Sequence, residues 1–410
     1  MMVWHTSKLG DVCEMIKRGI GPKYAENDGV CVINQKCIRD HSVNYDLARQ
    51  HNSELKKVSE DRYIKAGDVL VNSTGTGTLG RVAQIRVAPD EPVTVDTHVT
   101  IVRPKKGLFY SDFFGYMLIK IEEEIAAAGE GTSGQTELAR TKLENEFFVS
   151  YPDSVSEQKH IVAILDQAFA DIDKARALTE QNLKNARELF ESYLQQVFSQ
   201  RGEGWEEERM SEVCEGNITD GTHQTPKYFD EGYIFLSSKN VTSGVIDWEN
   251  VRYIDESQHV EMQKRLSPRL NDILLAKNGT TGVAAIVDKE EVFDIYVSLA
   301  LLRPSEKIEP RYLLHYVNSS HAKEQFNKRL KGIGVPNLHL KEIRDVVVSY
   351  PSSRKEQKKI IKQVDDLLSY RNALEVIYQE KLKAIDELKK SILQKAFSGE
   401  LTRDSEEAAA

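Results

Sequence analysis

Residues 155–198 read VSEQKHIVAILDQAFADIDKARALTEQNLKNARELFESYLQQVF, and residues 355–397 read KEQKKIIKQVDDLLSYRNALEVIYQEKLKAIDELKKSILQKAF. Neither stretch contains Gly or Pro, and straight-chain helix formers dominate both. Stepping through the first by alternating fours and threes meets Ile161, Leu165, Ala168, Ile172, Ala175, Thr179, Asn182, Ala186, Leu189 and Tyr193. Moving 199 residues on meets Ile360, Val364, Leu367, Arg371, Leu374, Tyr378, Lys381, Ile385, Leu388 and Ile392. An apolar period of about 3.5 residues held for about five heptads predicts two long coiled-coil helices. Both stripes turn polar near their middles, a device that fixes register at some loss of stability. Each helix spans roughly 60–66 Å at about 1.5 Å per residue and cannot bury its stripe alone.

The repeat extends beyond the helices. Trp4, Val12-Cys13-Glu14 and Pro22-Lys23-Tyr24 return as Trp205, Val213-Cys214-Glu215 and Pro226-Lys227-Tyr228. Asp68-Val69-Leu70-Val71 leads into a Gly/Thr loop, Gly75 to Gly80, as Asp272-Ile273-Leu274-Leu275 leads into Asn278–Gly282. Arg103-Pro104, Ser150-Tyr151-Pro152 and Glu157-Gln158-Lys159 match Arg303-Pro304, Ser349-Tyr350-Pro351 and Glu356-Gln357-Lys358. An ordered series at one spacing, 199 to about 204 residues, is an internal duplication.

Each copy begins with short apolar runs, such as 69–71, 82–87 and 99–102, or 272–275 and 283–287, bounded by turn residues. Helices are expected to follow near 113–128 and 311–331. The expected fold is α+β: two similar domains at residues 1–152 and 201–351, helices over 153–200 and 352–399, and an unordered tail at 400–410. Only about six residues, Ser199–Gly204, join the first helix to Trp205. The second helix must therefore return antiparallel to the first, giving two domains held apart by a helix pair with approximate twofold symmetry.

Composition bounds function less sharply. The chain has 410 residues, a formal charge of −9 and only four cysteines, so it lacks both a disulfide scaffold and an overall basic footprint. Cys31 and Cys37 have no following ligand pair, and the ten histidines show no metal-ligand spacing. No run reaches ~18 apolar residues, and the first 17 residues lack a signal-peptide core, so a cytoplasmic protein without metal or membrane contact is expected. No catalytic constellation is legible. The glycine loops lack Gly-Lys-Ser/Thr and Gly-x-Gly-x-x-Gly, and Asp68 and Asp272 read best as residues of the turns before their strands.

Two similar readers at a fixed separation suit a rod with recurring sites, such as duplex DNA with grooves every ~34–36 Å. The segments 31–62 and 229–269 share little, so the natural target is an asymmetric, two-part sequence. Phosphate-binding candidates are Lys56, Lys57, Arg103, Lys105, Lys328 and Arg329, with loop residues Thr76 and Thr280. Base-reading candidates are Asn34, Gln35, Arg39 and Asn52 in the first domain, and His223, Gln224, Lys239 and Asn240 in the second. The alternative is a non-catalytic scaffold carrying two peptide-binding domains on a coiled coil.

With these motifs in hand, the chain resembles the specificity subunits of type I restriction–modification systems along nearly its whole length. The resemblance rests on the paired Trp-initiated segments, the Asp-led strands with their Gly/Thr loops, and Ser-Tyr-Pro followed by Glu-Gln and Ile in both copies. It rests also on the Leu-x-x-x-Phe endings Leu194–Phe198 and Leu393–Phe397. Where the family usually shows Pro-Leu-Pro, this chain has Ser-Tyr-Pro twice. The resemblance implies two target recognition domains, each reading half of a bipartite prokaryotic DNA site, with the helices as spacer. It implies docking of two modification subunits on helical residues, for which Glu157, Gln158, Ile161, Leu165, Ile172, Leu189, Glu356, Gln357, Ile360, Val364, Leu367 and Leu388 are candidates. Two restriction subunits complete the implied assembly. S-adenosylmethionine, ATP and Mg2+ belong to the partners, and the chain itself binds no cofactor and catalyses nothing.

Overall fold

The computed structural model describes residues 3–26, 28–131, 136–328 and 337–402. The chain divides into two compact units, one formed by residues 1–179 with 381–410 and the other by 180–380. Each long helix, Val155–Phe198 and Arg354–Ser398, therefore begins in one unit and ends in the other.

In the first unit, Trp4–Lys8 pairs antiparallel with Phe148–Pro152, Trp4 opposite Pro152. An antiparallel sheet follows in the order Cys13–Arg18, Val99–Pro104, Val69–Asn72, Val82–Gln84. A second sheet places Val93–Val95 parallel to Val30–Ile33, which pairs with Arg49–His51 and then Tyr24–Ala25. The second unit repeats this plan. Trp205–Arg209 pairs with Val347–Pro351, Trp205 opposite Pro351. Its main sheet runs Thr219–Asp220, Leu299–Leu302, Ile273–Ala276, Ala284–Ile286, and its outer sheet Arg252–Ile254, Tyr233–Leu236, Phe293–Ile295. The internal strands are β-branched and aliphatic because both their faces are covered. Gly19 and Gly221 mark equivalent crossings, where a Cβ would lie 1.9 Å from the carbonyl oxygen of Val95 or Ile295.

The helices expected near 113–128 and 311–331 are each broken in two: Ser111–Lys120 with Glu122–Ala127, and Pro310–Asn318 with Ser320–Asn327. Ser319 caps the last of these, its hydroxyl accepting from the Ala322 amide at 3.3 Å. The turn before each main strand is closed by an ion pair on a buried aspartate. Asp68 accepts both Nε and an Nη of Arg103 at 2.7 Å, and Asp272 receives the same fork from Arg303 at 2.8 and 2.7 Å.

Within each unit the two helix segments run antiparallel. In the first, Asp173 faces Lys389 at 3.5 Å and Arg176 pairs with Asp386. In the second, Arg187 meets Glu375 at 2.8 Å, and the Arg371 guanidinium lies 4.6 Å from the Phe190 ring centroid. Ile161, Leu165 and Ile172 are buried in the first unit and Val364 in the second, with Ile360 and Leu367 partly covered there. Thr179 is buried in the stripe but satisfied by its own helix, donating to the Ala175 carbonyl at 2.7 Å.

Leu189 and Leu388 require correction. They are 72% and 50% exposed, while Phe190 and Ile385 are buried. At about 100° per residue, 28 residues beyond Ile161 or Ile360 leave a side chain about 80° off the buried direction. Phe190, 29 residues beyond Ile161, and Ile385, 25 beyond Ile360, return to within about 20°.

Gln158 and Gln357, expected among the docking residues, are completely buried and serve their own domains. Gln158 accepts from the Tyr110 amide at 2.7 Å and donates to the carbonyls of Leu108 and Pro152 at 3.2 and 3.0 Å. Gln357 does the same with Glu309, Lys307 and Pro351 at 2.7, 2.9 and 2.8 Å. The far end of each helix is anchored as firmly. Phe198 packs edge-on against Tyr312 and Tyr316 in the second unit, and Phe397 against Phe113 in the first. Gly399 then ends the second helix with φ +78°, where a side chain would meet the Trp4 indole. Order continues past residue 400, since Leu401 packs on the core of the first unit and Thr402 is buried. Residues 403–410 of the expected tail lie outside the described residues.

Candidate nucleic-acid interface

In each unit, the turn after the inner strand of the outer sheet meets the Gly/Thr loop. In the first, the Asn34–Cys37 turn is closed by the Cys37 amide donating to the Asn34 carbonyl, and Asn72 donates to the Gln35 carbonyl at 3.0 Å. Thr74 hydrogen-bonds Nδ1 of His98 at 2.6 Å, and Arg81 spans the Gly77 and Ile38 carbonyls. These links bring Gln35, Arg39 and the exposed Thr76 onto one surface. In the second unit, Ser237–Asn240 makes the equivalent turn. The Ser238 amide donates to the Ser298 hydroxyl, and the Lys277 amide donates to the Ser298 carbonyl, so exposed Lys239 sits beside the loop carrying exposed Thr280.

A second group gathers near Pro22-Lys23-Tyr24. Buried His51 accepts the Lys23 amide at Nδ1 and donates from Nε2 to the Lys56 carbonyl. Lys56 Nζ donates to the Gly21 carbonyl at 3.0 Å, and Lys57 is exposed beside it. In the second unit this region is rebuilt around Glu256–Arg265, a helix without a counterpart among the described residues of the first. A cleft of about 460 Å³ separates it from residues 221–226, with His223 and Gln224 on its wall. Behind them Asp220 is held by Lys277 at 2.9 Å, Arg265 at 2.8 Å and His223 at 3.2 Å. Burial acts to raise that carboxyl, but Lys277 and His223 outweigh it and hold it below the usual range.

Several sequence candidates are not free to bind. Arg103 is buried against Asp68, and the carboxylate's hydrogen bonds hold its guanidinium protonated above the ordinary value. Asn240 is buried, accepting from the Ser237 amide and donating to the Asn250 carbonyl, because its amide builds the turn that presents Lys239. Both ends of the Asn34 amide are engaged, with Leu47 and Lys36, and Asn52 Oδ1 caps the turn at Glu54 and Leu55. Lys105 is exposed but anchored to the Asp11 carbonyl, away from these loops in sequence and hydrogen bonding. Lys328 is exposed at the end of its helix, and Arg329 lies outside the described residues. Sequence reasoning missed Lys36, the turn-equivalent of Lys239, because segments of unequal length hide the match.

This duplicated geometry coincides with a family match. A model described as the type I restriction modification DNA specificity domain matches twice, at residues 1–182 and 202–384. The chain belongs to this family. The two copies are its target recognition domains, and membership implies recognition of DNA sequence rather than of peptides. Specificity subunits of type I systems are non-catalytic and work in complexes with methyltransferase and restriction subunits. The chain is 24% identical to the EcoBI specificity subunit of Escherichia coli over 76% of its own length and 70% of that protein's. It is 24% identical to the MjaVIII specificity subunit of Methanocaldococcus jannaschii over 72% of each. Among solved structures, the HsdS subunit from Thermoanaerobacter tengcongensis superposes over 97% of each chain with a TM-score of 0.59 at 20% identity. A chain from a study of type I system assembly and conformational transition superposes over 98% of this chain and all of that one, with a TM-score of 0.79 at 20% identity. Among the described residues no helix is long and apolar enough to cross a membrane.

Proposed function

We propose that this chain recognises an asymmetric, bipartite duplex sequence and directs partner subunits to it. Residues 1–152 read one half-site, residues 201–351 the other, and the helices over 153–200 and 352–399 set the unspecified spacing. One observation carries this reading: two copies share strand order and register while their exposed segments differ in sequence and even in elements. A common scaffold with unlike surfaces suits unlike targets. Gln35 and Arg39 in the first domain, and His223, Gln224 and Lys239 in the second, are the side chains assigned to the groove, with the loops of Thr76 and Thr280 against the phosphates. Lys56, Lys57 and Lys328 lie along the phosphates.

Two modification subunits dock on the helices, bringing S-adenosylmethionine, and two restriction subunits bring ATP and Mg2+ chemistry in the cytoplasm. Docking is supported by apolar side chains left uncovered on the helices, including Leu189, Tyr370, Leu374, Ile377 and Leu388. The test is to copurify the chain with the modification subunit of its system and map methylation on random duplex DNA. A single split adenine motif is expected. Methylation unchanged by deleting residues 205–350 would overturn the two-reader model.

A further inference from the structure

Outside the loops assigned above, one constellation occurs in both units. Tyr24 is exposed on the edge strand, and the Arg49 guanidinium carbon lies 3.4 Å from its ring centroid. Tyr228 is exposed in the second unit, with Arg252 4.3 Å from its ring centroid. The positions correspond in three dimensions. Arg49 pairs with Val32 and Arg252 with Phe235, each one residue before the Ile33 or Leu236 that enters the reading turn. Each tyrosine follows an exposed lysine, Lys23 or Lys227, and a proline.

Two properties of the pair point to a ligand. Among the described residues neither guanidinium forms an ion pair or side-chain hydrogen bond, although the chain holds 64 carboxylates against 55 Lys and Arg. The ring lies against the guanidinium, yet both arginines stay exposed to solvent, so N–H donors remain open to a phosphate or carboxylate, which a guanidinium can bind in two parallel hydrogen bonds. Stacking also holds the arginine in place before binding, which lowers the entropy lost when it engages an anion. The pair stands amid segments whose sequences otherwise differ between the copies. A feature shared by two readers of unlike half-sites can contact only what those half-sites share, and in duplex DNA that is the sugar–phosphate backbone.

We infer that Tyr24–Arg49 and Tyr228–Arg252 are equivalent phosphate clamps that position each recognition domain on the duplex without reading bases. This inference rests on the function proposed above, so its test starts from a wild-type complex shown to methylate one split motif. Failure at that step sinks the function; the variants then test the clamps. The probe is a fluorescent duplex carrying the mapped motif, with binding to the complex with the modification subunit measured from about 50 to 200 mM salt.

Arg49→Ala and Arg252→Ala should each weaken binding roughly tenfold. Each should also flatten the log–log salt slope by about 0.9, and the double variant by about twice that. The methylated sequence should stay the same in both half-sites. Tyr24→Leu and Tyr228→Leu, which keep the charge but remove the platform, should weaken binding several-fold with the slope retained. Arg49→Lys and Arg252→Lys should restore the slope without full affinity, separating charge from any disturbance of the sheet edge. The inference is overturned by an unchanged slope in the double alanine variant, or by altered base preference in either half-site. Loss of the modification subunit on purification, with normal salt dependence in the residual complex, would also overturn it and assign the pair to a partner's carboxylate.

Discussion

Gln158 and Gln357 fasten the start of each long helix to its domain, and a single-atom change tests how much they hold. Gln158→Glu keeps the shape and the acceptor for the Tyr110 amide but places an oxygen before the carbonyls of Leu108 and Pro152. The buried Pro152 carbonyl and the half-buried Leu108 carbonyl lose their donor, at up to about 1–3 kcal/mol each, so the expected loss is roughly 2–6 kcal/mol near pH 7. The new carboxyl has no exposure, and burial raises its folded pKa. Protonation returns one donor, so part of the loss should be recovered as pH falls from 7 to 5, below that raised pKa. Gln357→Glu should behave alike, because its three partners are equivalent. Urea unfolding of the full chain by circular dichroism measures the loss, and hydrogen exchange should place it at residues 108–110 and 155–165 for Gln158. A loss under about 1 kcal/mol for Gln158→Glu, or one that grows toward pH 5, would refute this account of the anchor.

Other changes probe different links. Asp68→Ala leaves Arg103 charged and unpaired in a buried site and should cost about 3–5 kcal/mol, read as a lower urea midpoint. Phe198→Ala should destabilise the second unit, and Phe397→Ala the first, by about 3–5 kcal/mol, with hydrogen exchange identifying the affected core. Burial lowers the pKa of His315 despite Asp365 at 2.8 Å, with Arg311 on the same carboxylate. The unfolded chain therefore takes up the proton first, and stability should fall as pH drops below about 6.5. His315→Gln should flatten that decline in unfolding measured from pH 7.5 to 5.5. Exchanging residues 25–62 for those of a relative should alter one half-site only, as methylation mapping will show.

The duplication was legible because its markers are either covered or constrained: Trp beside Pro, Asp turned toward Arg, Gln under the helix start. The strands were legible for the same reason, as both faces of Val69–Asn72 and Ile273–Ala276 are buried. The helix phase was misread only far from its starting point, where a drift of about 20° per heptad accumulates over four heptads into the misplacement of Leu189 and Leu388. The interface was less legible, because polar residues serve loops as readily as ligands. Arg103, Asn240 and Asn34 look like DNA contacts in a list of residues, yet each is consumed by a neighbouring backbone or carboxylate. Arg49 and Arg252 went unnoticed because they lie 25 and 24 positions beyond their tyrosines, across segments of unlike sequence.

The exchange of helix ends has a consequence for how the molecule is made. The unit of residues 180–380 is one continuous stretch of chain, whereas the other needs residues 381–402 to finish its core. During synthesis the first domain emerges early but must wait, with the Phe113 surface uncovered, until Phe397 arrives. The later domain can close before the earlier one. Synthesis of residues 381–402, rather than emergence of the first domain, is then the event that completes it, and a chain that stops before them leaves the first domain, not the second, unfinished.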